Sequence, residues 1–128
     1  MAAARALRRE RKSLDWVGTS LMDLREFPRE VRQDIGHALD QAQLGEKSLA
    51  AKPLKGFGGA GVLEVVDDFD GNTYRAVYTV KFEEVVYVLH AFQKKARKGV
   101  ATPKADLTLI RERFKAAEMH DARTKEKS

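Results

Sequence analysis

Two neighbouring stretches, YRAVYTV at residues 74–80 and VVYVLHAF at residues 85–92, determine the centre of the predicted fold. Both are rich in β-branched and aromatic residues, which favour strands, and both are bounded by residues that favour turns. Only residues 81–84 separate them, and this connection is too short for a crossover between parallel strands. The sequence therefore predicts two antiparallel neighbours in one sheet.

The register of this pair decides which side chains share a face. With an even number of residues in the connection, the numbers of paired residues sum to an odd value, as for Val80 opposite Val85. Because side chains alternate along a strand with period two, this register places Arg75 on the same face as His90 and Phe92. We therefore expect a cation, an imidazole and an aromatic ring side by side on the sheet.

The flanking sequence predicts an α+β fold. Residues 67–73 indicate a turn, and the other elements are expected as strands at residues 13–18 and 62–66 and as helices at residues 20–27, 28–44 and 103–117. The predicted order is β-α-α-β-β-β-α, with helices packed on one face of an antiparallel sheet. No repeat, low-complexity tract or linker divides the chain.

Composition restricts the class of protein. The chain has 128 residues and a formal net charge of +5, which fits one soluble domain. Without cysteine it has no disulfide, no thiolate metal site and no cysteine nucleophile. No apolar run is long enough for a membrane span or a secretory signal, so we expect a cytoplasmic protein with no membrane partner.

The charge is unevenly distributed along the chain. Residues 1–12 carry +4 and are expected to be a basic extension, and residues 13–118 are expected to be the domain, followed by a charged tail at residues 119–128. Between Lys94 and Lys104 there are five positive side chains and no negative one. The positive charges of such a cluster repel one another unless an anionic partner neutralises them. The charges of residues 1–12 and 119–128 can also be explained as those of solvated tails.

The glycine-rich segment at residues 55–61 does not predict a phosphate-binding loop. No Gly-Lys-Ser/Thr follows it, and it leads into a strand and not into a helix. The glycines are better explained by a close approach of the chain to the sheet or by positive φ angles. Lys52 and Lys55 just before it either reach a polyanion or are ordinary loop lysines.

Arg75 and His90 each have a structural and a functional interpretation. A strand arginine is satisfied structurally if it pairs with an acid among residues 67–70, and a strand histidine is more often structural than catalytic. The three histidines have no metal-ligand spacing, so neither a metal nor another cofactor is expected. Beyond His90, an aromatic ring and a run of cations favour RNA binding, through Phe92, Lys94, Lys95, Arg97, Lys98 and Lys104.

Taken together, several segments resemble the phage-related RelE/HigB-like toxins of the RelE/ParE superfamily. The segments are KPLKG at residues 52–56, YRAVY at 74–78, VLHAFQKK at 88–95 and TPK at 102–104. They occur in the family's order over about residues 13–117. The resemblance implies a compact α+β fold and the toxin of a type II toxin–antitoxin system, neutralised by a helix-turn-helix antitoxin of the XRE/HigA-like type.

The resemblance also implies an activity. Such toxins typically cleave mRNA, often on the ribosome, through attack of a ribose 2′-hydroxyl on the adjacent phosphate without a metal. Arg75 then matches the phosphate-contacting arginine of the sheet, and Lys94 and Lys95 match the basic cluster after the last strand. His90 is the first candidate for the general base, and Glu64 is the second.

Two other functions remain open from the sequence. The first is that of a ParE-like toxin, which inhibits DNA gyrase and cleaves nothing. The second is that of a non-catalytic module, which acts with its antitoxin as an operator-binding repressor and contacts operator DNA only through that complex. The basic cluster favours the nuclease over the gyrase inhibitor, because gyrase inhibition requires no phosphate-contacting group. It does not separate the nuclease from the repressor.

Overall fold

A computed structural model describes residues 11–94 and 102–127 of the chain. Five strands form one open sheet in the order β1-β5-β4-β3-β2. The strands are β1 (Ser13–Trp16), β2 (Ala51–Pro53), β3 (Val62–Phe69), β4 (Asn72–Thr79) and β5 (Val85–Lys94), and the helices are α1 (Ser20–Arg25), α2 (Arg29–Gln43) and α3 (Lys104–Lys127). The predicted α+β class and the predicted order of these elements are confirmed, with β2 as an additional short strand.

Two details of the predicted architecture are wrong. The sheet is not wholly antiparallel, because β1 pairs with β5 in parallel, with Ser13 opposite Val85 and Trp16 opposite Val88. The helices do not lie on one face either, because α3 packs on the face opposite α1 and α2. The strands β4 and β5 are buried on both faces over most of their length, so each face needs a helix to cover it.

The first face of the sheet is covered by α1 and α2. An apolar stripe at helical spacing on α2, including Val31, Ile35 and Leu39, is buried against Ala76 and Tyr78 of β4. The second face is covered by α3. Its buried residues Ile110 and Ala117 pack with a separate apolar group: Leu54, Val62, Val77, Phe82, Tyr87 and Leu89.

The C-terminal helix is longer than the sequence predicts. It continues through Lys127, so residues 119–127, assigned to a charged tail, belong to α3. Asp121 in this part is buried and accepts a hydrogen bond from the hydroxyl of Tyr87. Within the described ranges, none of the helices combines the length and apolar character needed to cross a membrane.

The connection between β3 and β4 is a two-residue turn. Asp70 and Gly71 have φ angles of 51° and 80°, the conformation of the Asp-Gly hairpin turn whose twist matches that of the strands. Because the turn is this tight, Phe69 pairs directly with Asn72. Residues 67–69, predicted as part of the turn, therefore extend β3.

A β-bulge at Leu89 sets the register of the central pair. Near the connection Thr79 lies opposite Tyr87, so the expected odd-sum register is wrong at this end. The register then shifts, because Tyr78 lies opposite Val88 whereas the next residue, Val77, lies opposite His90. Leu89 is therefore the extra residue of β5. Beyond the bulge the sum is odd, and the predicted shared face of Arg75, His90 and Phe92 is confirmed.

The hydroxyl of Tyr78 is buried in the first core with no hydrogen-bond partner among the described residues. Burial raises the pKa of Tyr78 to about 12, because the phenolate is disfavoured away from water. We expect Tyr78→Phe to raise the free energy of unfolding by about 1 kcal/mol, since it removes an unsatisfied polar atom without a change of shape. Urea unfolding measures this. The matched Tyr87→Phe loses its hydrogen bond to Asp121 and should be no more stable than wild type.

A carboxyl pair at the interface of β3 and α2 predicts a pH-dependent stability. Burial, a hydrogen bond to Asp34 and the charges of Asp34 and Asp68 raise the pKa of Asp67 to about 6. Because the folded protein holds this proton more tightly than the unfolded chain, stability falls as the pH rises from about 4 through 6. Asp67→Asn mimics the protonated form of this side chain. Its free energy of unfolding should therefore equal that of wild type near pH 4 and exceed it by about 1 kcal/mol above pH 7, a value that allows for solvent screening. Thermal unfolding at several pH values tests this, with the exposed Glu83→Gln as a control that shows no such trend.

Candidate functional site

The face of the sheet that meets α3 brings chemically active side chains into two adjacent rows. The first row runs across four strands through Lys52, Glu64, Val77 and His90, and the second runs through Val66, Arg75 and Phe92. Residues directly opposite each other in antiparallel strands have Cβ atoms about 5 Å apart. Pairing alone therefore places a carboxylate, a guanidinium and an imidazole at one end of the sheet.

Arg75 is held by Glu64 and is almost completely buried. Its side chain is 5% exposed and that of Glu64 is 12% exposed, and Nη1 of Arg75 lies 3.2 Å from both carboxylate oxygens. Arg75 is thus paired with an acid, as its structural interpretation requires, but the acid is Glu64 and not one of residues 67–70. Asp67 bonds to Asp34 on the other side of the sheet, and Asp68 accepts a hydrogen bond from Thr73.

The residues that lead into α3 close over this ion pair. The hydroxyl of Thr102 donates to Oε2 of Glu64 at 2.8 Å and lies 3.4 Å from Nη1 of Arg75. Thr102 therefore bridges the acid and the base of the pair. The sequence indicated Thr102 as part of the TPK segment before the predicted helix, and the pattern of residues contains no sign of this contact.

His90 is stacked, paired and buried. Its ring lies 4.6 Å from that of Phe92 with an angle of 18° between the planes, and it is 7% exposed. Its Nε2 atom is 2.7 Å from Oδ1 of Asp106 in the first turn of α3. A carboxylate can only accept a hydrogen bond, so the network assigns a proton to Nε2. Asp106 lies within the helix predicted at residues 103–117, and nothing in the sequence indicated its contact with His90.

Arg113 is the one member of this network that sequence reasoning missed entirely. Its Nη1 atom donates to the carbonyl of Leu89 at 2.9 Å, and the same atom lies 3.5 Å from Nδ1 of His90. Its Nη2 atom donates to the hydroxyl of Thr19. Arg113 therefore joins α3 to the bulge and supports Nδ1 as the unprotonated nitrogen of His90. One arginine among several on a helix carries no signal for this role.

The basic residues predicted to bind RNA have different positions. Lys52 is exposed beside Glu64 in the first row, Lys94 is half-buried at the end of β5, and Lys104 is exposed at the start of α3. Lys55 is exposed in the loop between β2 and β3. Lys95, Arg97 and Lys98 lie outside the described residues.

The glycine-rich loop has a structural partner. Arg111 of α3 stacks on the ring of Phe57, 5.1 Å from its centroid, and donates to the carbonyl of Gly56. Gly56 has a φ angle of 95°, and a Cβ atom there would come within 2.9 Å of the Arg111 guanidinium. The positive φ that the sequence interpretation offered is therefore present at this glycine, whereas the close approach is to Arg111 of α3 and not to the sheet.

The site has the chemical groups for proton transfer and for anion binding. The Arg75–Glu64 ion pair lies beside the hydrogen-bonded His90–Asp106 pair, although burying charges costs solvation that their attraction roughly offsets. This cluster of buried charged and titratable groups marks this end of the sheet as the candidate functional site. The described residues contain no group of three side chains suited to hold a metal ion.

Comparison with known proteins identifies the fold. The E. coli toxin RelE, solved as a mutant in the free state, matches with a TM-score of 0.54 and 21% identity, over 83% of this chain and 97% of RelE. The toxin–antitoxin complex RelBE2 of Mycobacterium tuberculosis matches with a TM-score of 0.44 and 17% identity, over 70% of this chain and 98% of that one. No curated protein matches the chain in sequence.

A family model matches directly at the level of sequence. It is that of the phage-derived Gp49-like proteins (DUF891), and it spans residues 22–115, from α1 to the middle of α3. This range includes Glu64, Arg75, His90, Asp106 and Arg113. The chain therefore belongs to the phage-derived Gp49-like family and has the RelE fold.

Proposed function

We propose that the chain is the toxin of a type II toxin–antitoxin system and a metal-independent endoribonuclease that cleaves mRNA, most readily on the ribosome, and so stops translation. The observation that carries the proposal is the cluster of Glu64, Arg75 and His90 on one face of the sheet. It combines an anion-binding cation with two groups that can exchange protons. The fold of the E. coli toxin RelE supports the same assignment.

The proposed reaction needs only groups that this cluster contains. The 2′-hydroxyl oxygen forms a bond to the adjacent phosphorus while the bond from phosphorus to the 5′ oxygen breaks, which leaves a 2′,3′-cyclic phosphate and a free 5′-hydroxyl. One proton leaves the 2′-hydroxyl, and one joins the 5′ oxygen. Catalysis therefore requires a proton acceptor, a proton donor and positive charge on the phosphate.

The hydrogen bonds of the site favour particular roles. Arg75 binds the phosphate, because its planar guanidinium suits two phosphate oxygens at once. Glu64, an ionised acceptor, takes the proton of the 2′-hydroxyl. His90 would act as the proton donor in its doubly protonated form, giving the proton of Nε2 to the 5′ oxygen, in place of the base that we first expected. Lys94 adds positive charge at the end of β5.

The remaining partners belong to the same proposal. Lys52, Phe92 and Lys104 surround the site and would contact RNA on either side of the cleaved bond, and Lys95, Arg97 and Lys98 stay predictions for that surface. A helix-turn-helix antitoxin would neutralise the toxin in the cytoplasm, and operator DNA would be contacted only through that complex. Neither a cofactor nor a metal takes part in the proposed chemistry.

One experiment separates this function from the alternatives. The chain is induced alone in bacteria and new RNA 5′ ends are mapped, while the purified protein is tested for inhibition of gyrase supercoiling. New 5′-hydroxyl ends inside mRNA, with supercoiling unaffected, are expected. Inhibited supercoiling without RNA cleavage would instead identify a gyrase inhibitor. Absence of both RNA cleavage and gyrase inhibition would favour an operator-binding module.

Arg75→Lys tests the role of the cation. Arg75→Ala is unsuitable, because it leaves the carboxylate of Glu64 buried without a counter-charge, at a cost of about 3–5 kcal/mol. Lysine keeps the charge but loses the two-point contact, so we expect RNA cleavage to fall by roughly 10²–10³-fold with the fold intact. Single-turnover cleavage and circular dichroism measure the two effects. The control is Arg29→Lys on the exposed part of α2, and wild-type cleavage by Arg75→Lys would exclude Arg75 from the site.

His90→Gln tests the role of the proton donor. We expect cleavage to fall by roughly 10²–10⁴-fold, because glutamine keeps hydrogen bonding but transfers no proton. A substrate with sulfur in place of the bridging 5′ oxygen needs no proton on its leaving group, so it should restore the rate of His90→Gln to near that of wild type. Failure of this substrate to restore cleavage, while it is cleaved normally by wild type, would show that His90 is not the donor.

A further inference from the structure

Segment 102–106, which contains the start of α3, lies directly over the proposed site. Arg75 is 4% exposed and His90 is 7% exposed, although both are expected to contact a phosphodiester. Thr102 covers the Arg75–Glu64 pair and Asp106 covers His90. RNA therefore cannot reach either side chain in the described conformation without displacing this segment.

The contacts that hold segment 102–106 down are polar. Thr102 donates to Glu64, and Asp106 accepts from His90. Lys104 and Ala105 are exposed. The segment therefore contributes little apolar surface to the core.

The rest of α3 is held differently. Ile110 and Ala117 are 0% and 1% exposed within the second core, and Arg113 bonds to the carbonyl of Leu89. Apolar burial strongly favours the docked state, whereas buried polar contacts are exchanged for contacts with water at little net cost. Segment 102–106 can therefore separate from the sheet while the helix from Ile110 onward stays in place.

We propose that segment 102–106 is an autoinhibitory cap, which covers the RNA site when closed and must open before RNA binds. This inference rests on the proposed function and adds the regulation of the same site. The carboxylate of Asp106 occupies the position at His90 that the leaving oxygen would take, and Thr102 lies over the Arg75–Glu64 pair where the phosphate would bind. Closed cap and bound RNA exclude each other, so any change that weakens the cap raises the apparent affinity for RNA.

The first test measures cap opening without RNA or activity. Diethyl pyrocarbonate modifies accessible histidines, and mass spectrometry compares His90 with the exposed His37 and His120 as internal references. Asp106→Ala and Thr102→Val each remove one cap contact, and we expect each to speed modification of His90 by roughly tenfold relative to the references. Glu112→Ala removes the same charge as Asp106→Ala from an exposed position of α3 and should leave His90 as protected as in wild type.

Thr102→Val is the decisive variant, because Thr102 does not contact His90 and cannot alter the reactivity of its ring directly. Faster modification in both cap variants supports the cap. Unchanged modification in Thr102→Val overturns it, since the segment then does not move as one unit.

The second test uses an RNA oligonucleotide with 2′-O-methyl groups, which has no free 2′-hydroxyl and is not cleaved. Fluorescence anisotropy should show it bound several-fold more tightly by Thr102→Val and Asp106→Ala than by Glu112→Ala. Equal affinity of all three would refute the cap. If the cap variants expose His90 and bind RNA more tightly but no variant cleaves natural RNA, the cap stands and the proposed nuclease fails.

Discussion

The bulge at Leu89 is the feature on which the arrangement of the α3 face depends. Near the connection, Thr79 lies opposite Tyr87. Without an extra residue in β5 this pairing would continue along both strands, and Arg75 would face a different set of side chains. With it, His90 and Phe92 lie on the same face as Arg75 and Glu64. The carbonyl of Leu89 is also the anchor for Arg113, so the irregularity in the sheet fixes both the site and the helix that covers it.

The two faces of the sheet differ in what they contribute. The face under α1 and α2 is a continuous apolar core, with Val31 and Ile35 completely buried, and it supplies much of the stability of the domain. The α3 face is apolar only where Ile110 and Ala117 pack, and at its other end it carries the buried Arg75–Glu64 ion pair and the hydrogen-bonded His90–Asp106 pair. Stability is therefore concentrated away from the proposed chemistry, which allows the site to contain groups that are costly to bury.

Part of the site follows from period-two alternation. Arg75, His90 and Phe92 could be placed together from sequence because strand side chains alternate, and Glu64 was a candidate from its strand and from family resemblance. Their partners could not be predicted. In sequence, Thr102, Asp106 and Arg113 are 16 to 94 residues away from the residues they contact, with Asp106 and His90 the nearest pair and Arg113 and Thr19 the farthest. A contact between a helix and a sheet depends on how the helix docks, and no local pattern records it.

The amino-acid sequence by itself determined the α+β class, the order of the elements and the antiparallel β4–β5 pair, because hydrophobic period and connection length are local properties of the chain. Only the tertiary structure decided that β1 pairs in parallel, that α3 covers the second face and that Glu64, not an acid of the turn, neutralises Arg75. The strands β4 and β5 are buried on both faces over most of their length, and this property is compatible with several placements of the helices. The choice among these placements depends on the total apolar area that is buried and on which charged groups are paired. Both depend on contacts between residues that are distant in sequence.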